Sequence, residues 1–246
     1  MDLKERNLLT TQRHPWETSR LKALQKIVGP ELHEGMRVLD VGCGDGFIAR
    51  GLFAQLRNKH ITAVDTQLSD QLIDELAHAT QDITYQKTLP RDGAYELILL
   101  LDVLEHIASD HDFLADVVAN HCAEKGKVMI TVPAFQSLYG SHDSYLGHYR
   151  RYRLKGLELL ATSCGLQVLS SGYLFSSLLL PKLVLFKLCK TGKSSDGVGN
   201  WHGSKYLTGF IENILNMDNS ILLSANRLGI RLPGLTGWAL CEKRES

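Results

Sequence analysis

Residues 38–47 read VLDVGCGDGF, and this stretch decides the fold. Val38, Leu39 and Val41 are apolar β-favouring residues, as expected of a buried strand. Residues 48–56 repeat apolar side chains at helical spacing. The pattern predicts a buried strand that passes through a short turn into a helix, which is the beginning of an α/β unit.

Three alternating glycines, Gly42, Gly44 and Gly46, form the predicted turn. Glycine allows positive φ and has no Cβ, so such a turn brings the backbone close to a ligand. A dinucleotide-binding turn requires a glycine at the sixth position of the motif, where this chain has Phe47. No lysine follows, as it would in a phosphate-binding P-loop. The spacing therefore argues against both of these nucleotide sites.

Acidic residues accompany the glycines, because Asp40 precedes the turn and Asp45 lies within it. Two carboxylates would repel a pyrophosphate, but they suit a ligand with positive charge near a ribose. S-adenosylmethionine has a sulfonium and an ammonium group. At these residues the chain resembles the class I S-adenosylmethionine-dependent methyltransferases.

The resemblance extends over residues 16–173 and the closing residues 238–243. It implies an α/β fold, a doubly wound and mostly parallel seven-stranded sheet of Rossmann-like type with a helical insertion before the last strand. It also implies S-adenosylmethionine as cofactor and S-adenosylhomocysteine as product. Direct SN2 transfer of the methyl group would be the reaction.

The resemblance also assigns cofactor-binding residues near the first two strands. Asp65 ends the second predicted strand and would bind the ribose hydroxyls, with Thr66 beside it. The backbone of Gly42, Cys43 and Gly44 would form the floor under the cofactor. Asp40 would orient the loop and the amino end of the methionine moiety; alternatively, Asp40 only caps a turn and Asp65 only ends a strand.

Residues 99–107, LLLDVLEHI, resemble the family segment beside the methionine part of the cofactor. Leu101 and Leu104 would pack on the ligand, and Asp102 would point into the crevice. Glu105 and His106 are expected to start the next helix. In the alternative interpretation, Asp102 and Glu105 only favour the positive end of that helix.

Two further cofactor contacts follow from the resemblance. Trp16 and Arg20 are four residues apart and share a face of a predicted helix folded over the cofactor, where Arg20 would pair with the methionine carboxylate. The alternative is a surface arginine beside an anchoring tryptophan. The acidic residue that binds adenine in relatives is replaced here by ITYQ, so Gln86 or Tyr85 would take its place.

Residues 133–157 are rich in histidine, arginine and tyrosine and follow the fifth predicted strand. This position makes them the expected acceptor-binding segment, a loop that becomes a helix. His148 is the first candidate for the base that takes the acceptor proton and His142 the second. Tyr149, Arg150 and Arg151 would bind the acceptor, since guanidinium groups suit a phosphate or carboxylate. A hydrated basic loop is the alternative.

The chain alternates strand and helix patterns, as expected of a parallel sheet with crossover helices. Strands are predicted at residues 38–41, 61–64, 83–86, 97–101, 127–132, 166–173 and 237–243. Helices are predicted at residues 48–56, 69–79, 110–120, 154–164 and 208–227.

We expect one domain over residues 1–246, with a helical cap over the cofactor at residues 1–30. Residues 174–234 form a predicted helical insertion on the acceptor side. Its apolar residues 174–188 indicate a core or dimer helix, or a surface for a lipid-like substrate or a membrane. Its glycine- and serine-rich residues 190–200 indicate a lid or linker.

Lys plus Arg and Asp plus Glu each number 27, so the net charge gives no general attraction to nucleic acid. Five scattered cysteines lack metal spacing and indicate reduced thiols. The polar N-terminus and the absence of a long apolar run predict a cytoplasmic protein. We expect no metal, a monomer or homodimer, and a small-molecule, saccharide or lipid-like acceptor, with peripheral membrane contact as an open alternative.

Two other functions remain open from the sequence. A metal-assisted RNA 2′-O-methyltransferase would use Glu105, His106 and His142 as ligands, although such enzymes have Glu where this chain has Asp102. The other is a non-catalytic assembly protein that retains the cofactor, because a fold does not determine a function.

Overall fold

The computed structural model describes residues 13–80, 82–91, 93–188, 201 and 203–245, without the side chains of 184–188. Seven strands form one sheet: β1 (Arg37–Val41), β2 (His60–Val64), β3 (Ile83–Gln86), β4 (Tyr95–Leu101), β5 (Cys122–Pro133), β6 (Leu166–Leu174) and β7 (Thr236–Lys243). Each predicted strand is present, with ends shifted by a few residues where neighbouring strands extend the pairing.

The strand order is β3-β2-β1-β4-β5-β7-β6, and β7 alone runs antiparallel to its neighbours. The register places Val41 opposite both Val64 and Leu100, and Pro133 opposite Thr236. The ends of β1, β2, β4 and β5 therefore meet the start of β7 along one edge of the sheet. The expected doubly wound, mostly parallel seven-stranded sheet is confirmed.

Helices cover both faces of the sheet. They are α1 (Pro15–Val28), α2 (Phe47–Leu52), α3 (Asp70–Ala79), α4 (Asp110–His121), α5 (Ser141–Leu146), α6 (Leu154–Ser163), α7 (Leu179–Leu188) and α8 (Lys205–Arg227). The last two lie between β6 and β7, where the helical insertion is expected. Residues 1–12 and 190–200, which include part of the expected cap and lid, lie outside the described residues.

The central strand β4 shows why the core has two layers. Its side chains alternate between the faces, so Leu97 and Leu99 pack with α1, α2 and α8, while Ile98 and Leu100 pack with α4 and α6. All four are fully buried. A continuous run of apolar residues is typical of a strand that is buried on both faces.

Helix α1 packs against α8 across one face of the sheet. Thr18 donates to Glu212 (2.7 Å), and Lys26 donates to Ser220 (2.7 Å). These contacts join the N-terminal helix to the insertion near the end of the chain. Within the described residues, no helix is both long enough and apolar enough to cross a membrane.

Two helix predictions differ from the structure by more than the shifts of one to three residues seen at the other predicted helices. Helix α2 ends at Leu52, before the predicted residue 56, because the chain turns at the fully buried Phe53. Glu105 and His106 do not start a helix; they lie in a 3-10 turn, Leu104–His106. The Glu105 carbonyl accepts a hydrogen bond from the Tyr149 backbone N–H (2.7 Å) and so is not available to a following helical turn.

Cys43, Cys122, Cys164 and Cys241 are buried free thiols, in agreement with the expected reduced state. Cys189 lies outside the described residues. The predicted cytoplasmic location and the monomer or homodimer state stay predictions.

The turn after β1 leaves no room for a side chain at Gly46. Its φ is +71°, and a Cβ there would lie 2.4 Å from the Tyr85 hydroxyl oxygen. We expect Gly46→Ala to lower the free energy of unfolding by about 2–3 kcal/mol, as strain and overpacking add. Gly156→Ala in α6, where a Cβ meets nothing within 4 Å, is the control and should not destabilise. Equal denaturation midpoints for the two variants would contradict this account.

Candidate active site

A cavity of about 700 Å³ lies at the edge of the sheet where β1, β2 and β4 end. Ten of the predicted site residues line it: Trp16, Arg20, Gly42, Asp65, Thr66, Leu101, Asp102, His142, His148 and Arg151. Seven lie outside its lining: Asp40, Cys43, Gly44, Gln86, Leu104, Tyr149 and Arg150. The cavity thus brings predicted cofactor-binding and acceptor-binding residues together.

The glycine turn forms one wall of the cavity. Gly42 has φ +72°, and a Cβ there would lie 2.6 Å from a methyl carbon of Val103, so a larger residue would be strained and would clash. The backbone N–H groups of Gly42 and Cys43 both donate to the Val64 carbonyl (2.7 and 3.1 Å). The backbone N–H of Gly44 donates to the Asp65 carboxylate (3.0 Å). The turn is therefore fixed against the end of β2.

The two acidic residues of the first motif do not face the cavity. Asp40 is buried under the turn, and burial raises its pKa to about 7 against the attraction of Arg20. Asp45 forms an ion pair with Arg13. The charge next to the cavity comes instead from Asp65, at the end of the neighbouring strand, whose carboxylate also accepts from the backbone N–H of Gln67 (2.9 Å).

A network of hydrogen bonds lies under the N-terminal helix. Arg20 is buried, with its guanidinium carbon 5.1 Å from the centre of the Trp16 ring. It pairs with the Asp102 carboxylate (2.9 Å) and donates to the Thr131 hydroxyl (2.8 Å). The interpretation of Arg20 as a surface residue is therefore wrong. Its Nε has no hydrogen-bond partner within the described part of the chain.

Asp102 has a strained backbone with φ +58°, which is uncommon outside glycine and is often found at functional sites. Its backbone N–H donates to the Thr131 carbonyl (2.9 Å), and its carboxylate accepts from the Thr131 hydroxyl (3.0 Å). These bonds and Arg20 hold the carboxylate where it lines the cavity. The alternative in which Asp102 only favours a helix start has no support, since α4 begins at Asp110.

Tyr85 and Gln86, the two residues expected to contact adenine, are not among those that line the cavity. The Gln86 side chain donates to the Thr88 carbonyl (2.6 Å), and Tyr85 is packed against Gly46. Apolar side chains line the cavity near these residues: Leu89, Val103, Ile107 and Phe113. These residues could not be predicted from the sequence as lining a cavity, because they come from loops and a helix face that carry no motif.

A buried ionic cluster lies in the segment after β5. Asp143, 1% exposed, accepts from His148 Nδ1 (2.9 Å), from Arg151 Nε (2.7 Å) and from the Gly140 backbone N–H (2.9 Å). Burial acts to raise the pKa of Asp143, but the bonds from His148 and Arg151 outweigh it and hold the pKa below its usual range. Asp143 is thus an anion that fixes the orientation of the His148 ring.

The other predicted acceptor residues divide between the cavity and the surface. His142 lines the cavity. Tyr149 is 59% exposed, and Arg150 pairs with Asp110 (2.7 Å) and donates to the Ala108 carbonyl (2.5 Å). Arg150 therefore joins the segment to the start of α4, whereas Arg151 lines the cavity.

One group of side chains in the cavity could hold a metal ion: Glu105, His106 and His148. Their ligand atoms all lie within 4.8 Å of one another. The rings of His106 and His148 are edge to face, with centres 4.6 Å apart. Glu105 is buried, and burial followed by the charge of Asp102 raises its pKa well above the usual range. The expected trio of Glu105, His106 and His142 is wrong in its third member, which is His148 among the described residues.

Comparison with known proteins gives the family. The model of a methyltransferase domain family matches residues 11–171, which is more than half of the chain. This chain belongs to that methyltransferase family. The predicted membership among S-adenosylmethionine-dependent methyltransferases is confirmed, and S-adenosylmethionine is the cofactor of that class.

Curated relatives are similar over a shorter segment. A ubiquinone biosynthesis O-methyltransferase of Rickettsia bellii (strain OSU 85-389) is 34% identical over 90 residues, which are 34% of this chain and 36% of the relative. One with the same name from Maricaulis maris (strain MCS10) is 33% identical over 97 residues, 36% of this chain and 37% of the relative. The matched segment spans little more than a third of either relative.

Solved methyltransferase structures share the fold. A phosphoethanolamine N-methyltransferase 2 of Haemonchus contortus in complex with S-adenosyl-L-methionine has a TM-score of 0.56 at 17% identity, over 94% of this chain and 53% of that one. The YcgJ protein of Bacillus subtilis has a TM-score of 0.56 at 14% identity, over 92% and 99%. At these identities the likeness shows the fold alone.

The ionic cluster at Asp143 predicts how stability depends on pH. Removing one partner of a buried ion pair costs about 3–5 kcal/mol, so Asp143→Asn should lower the free energy of unfolding by about that amount at neutral pH. Because the folded-state pKa is lowered, the wild type loses this stability as pH falls below the unfolded pKa of about 4. The difference between the two proteins in urea denaturation should therefore shrink with acidification.

The matched control is Asp116→Asn on the exposed face of α4, which should change stability by less than about 0.5 kcal/mol at either pH. A difference between wild type and Asp143→Asn that grows below pH 4 would refute the ionised state of Asp143.

Proposed function

We propose that this protein transfers the methyl group of S-adenosylmethionine to a hydroxyl oxygen of a small-molecule, saccharide or lipid-like acceptor. The observation that carries the proposal is the His148 ring, held by Asp143 in the same cavity as Asp65 and Asp102. A histidine oriented by a buried carboxylate is suited to accept a proton at neutral pH. The relatives named O-methyltransferases support oxygen as the methylated atom.

The cofactor would lie along the ends of β2, β1 and β4. Asp65 is proposed to accept hydrogen bonds from both ribose hydroxyls, and the apolar residues near Phe113 would contact the adenine. Arg20 and Asp102, which both line the cavity, would contact the methionine end. Trp16 would cover this end from α1, as expected of the N-terminal cap.

The sulfonium already activates the methyl carbon, so most of the rate enhancement would come from aligning acceptor oxygen, methyl carbon and sulfur. His148 would accept the proton that the acceptor hydroxyl loses. Because His148 Nδ1 lies 2.9 Å from the Asp143 carboxylate, the tautomer with hydrogen on Nδ1 leaves Nε2 as the acceptor. Asp143 would then stabilise the imidazolium that forms as the new carbon–oxygen bond is made.

The acceptor would enter between the segment after β5 and the insertion. Leu178, from the insertion, lines the cavity together with His142 and Leu146 from α5. This placement supports residues 174–234 as the acceptor-side part of the domain. The equal numbers of acidic and basic residues in the chain favour an acceptor other than nucleic acid.

A second candidate function is methyl transfer assisted by a divalent cation. It is favoured by Glu105, whose buried Oε2 has no hydrogen-bond partner in the described part of the chain and which lies with two histidines. A carboxylate and two imidazoles are ligands that Zn²⁺ and Mn²⁺ accept. A bound cation would supply Lewis-acid activation of the acceptor hydroxyl. Asp102 would take no part, because Arg20 and Thr131 bind it.

The ribose contact is tested with Asp65→Ala. Hydrogen bonds to a charged group are worth about 1.5–3 kcal/mol, so affinity for S-adenosylhomocysteine should fall about 10- to 100-fold in calorimetry. Asp74→Ala, an exposed carboxylate on α3, is the control and should bind as the wild type does. Wild-type protein that binds no S-adenosylhomocysteine, or a folded Asp65→Ala with unchanged affinity, would refute the proposed cofactor site.

The two candidate functions differ in their response to cations. Protein stripped with EDTA is titrated with Mg²⁺, Mn²⁺ and Zn²⁺ while the melting temperature is measured, because a ligand of the folded state raises it. If His148 is the only base and no cation takes part, none of the three cations should specifically raise the melting temperature. Cation-assisted transfer predicts a rise that Glu105→Gln abolishes and that the exposed-residue control Glu124→Gln retains.

A further inference from the structure

Charged side chains line the cavity from the end of β2 to the segment beyond β5. Asp65 lines it at the end of β2, and Asp102 lines it after β4, where it pairs with Arg20. Cations line it beyond β5, at Arg151 and at Lys182 of α7. Since the strand order runs from β2 through β1 and β4 to β5, Arg151 and Lys182 lie at the end of the cavity away from Asp65. The cofactor is proposed to lie at the Asp65 end, which leaves this basic end for the acceptor.

Lys182 carries a charge that its surroundings do not neutralise. Within the described residues no carboxylate oxygen lies within 4.0 Å of its ammonium group. Burial, and then the charge of Arg151, lower the pKa of Lys182 to about 8, while Asp143 acts in the opposite direction. A partly buried ammonium with this environment would be stabilised by an anion placed beside it.

Arg151 leaves part of its guanidinium available on the same side. Its Nε donates to Asp143 and its Nη1 to the Ala134 carbonyl (3.3 Å). Among the described residues its Nη2 has no hydrogen-bond partner, and the side chain lines the cavity. Asp143 is the one carboxylate of this cluster and already accepts from His148, so it cannot neutralise both Arg151 and Lys182.

The surroundings of these two cations are apolar. Leu146, Leu178 and Leu235 line the cavity with them. Apolar walls do not hold a free hydrated ion, but they do hold the apolar body of a molecule that carries a charged group. Leaving a buried cation without a partner is costly, so the basic end favours an acceptor whose own charge is negative.

We infer that Lys182 and Arg151 form a subsite for a carboxylate or phosphate group carried by an otherwise apolar methyl acceptor. This inference rests on the proposed function and adds the class of acceptor to it. The anion would bind the two cations, the apolar body would contact the leucines, and the reacting hydroxyl would face His148. The subsite thus sets both the specificity and the orientation of the acceptor.

The test uses the full chain loaded with S-adenosylhomocysteine and measures binding by calorimetry. Two aromatic probes of the same shape, 4-hydroxybenzoate and the neutral 4-hydroxybenzamide, isolate the carboxylate. Dodecyl phosphate and inorganic phosphate separate an anion attached to an apolar body from a free ion. The variants are Lys182→Met, which removes the charge, and Lys182→Arg, which retains it; Lys155→Met on the exposed face of α6 is the control.

We expect the wild type to bind 4-hydroxybenzoate or dodecyl phosphate at least about tenfold more tightly than 4-hydroxybenzamide or inorganic phosphate, respectively. Lys182→Met should lose this preference, whereas Lys182→Arg and Lys155→Met should keep it. The inference is overturned if neither anionic probe binds, if the neutral probe binds equally well, or if Lys182→Met keeps the preference. Loss of S-adenosylhomocysteine binding in the wild type would instead refute the proposed function, so the two failures are distinguishable.

Discussion

The turn between β1 and α2 is the constraint on which the cavity depends. Two successive N–H groups, of Gly42 and Cys43, donate to the Val64 carbonyl, and a third, of Gly44, donates to Asp65. These bonds tie the turn to the end of β2, and positive φ at Gly42 and Gly44 is needed to make them. A side chain at Gly42 would meet Val103 after β4, so the approach of three neighbouring strand ends determines the shape of the wall.

The second feature of the site is that two of its carboxylates are held by separate sets of buried partners. Asp102 is fixed by Arg20 and Thr131, whereas Asp143 is fixed by His148 and Arg151. Each carboxylate therefore has its own buried partners, and neither can move to neutralise the other end of the cavity. The proposed sites of the methyl donor and of an anionic acceptor therefore lie at different ends of the cavity, near Asp65 and near Lys182.

The strands and the Asp65 position followed from the sequence because buried strands need apolar runs and their ends lie along one edge. The pairing of His148 with Asp143 did not, because it depends on Gly147 in the left-handed conformation after α5, which returns the chain toward that helix. The apolar wall near Phe113 was missed for the same reason: tertiary packing places it there, and no local pattern records it. The place of Lys182 in the cavity could not be predicted either, because this residue lies within the apolar residues 174–188 and no motif marks it.

The central claim is that the cavity binds a sulfonium nucleoside with its sugar at the end of β2. A crystal structure of the full chain with S-adenosylhomocysteine tests it most directly. The account predicts both ribose hydroxyls within hydrogen-bond distance of Asp65 and the sulfur on the side of the cavity where Glu105 and His148 lie. Nucleoside bound elsewhere on the protein, or bound in the cavity with its sugar beside Arg151, would contradict the account.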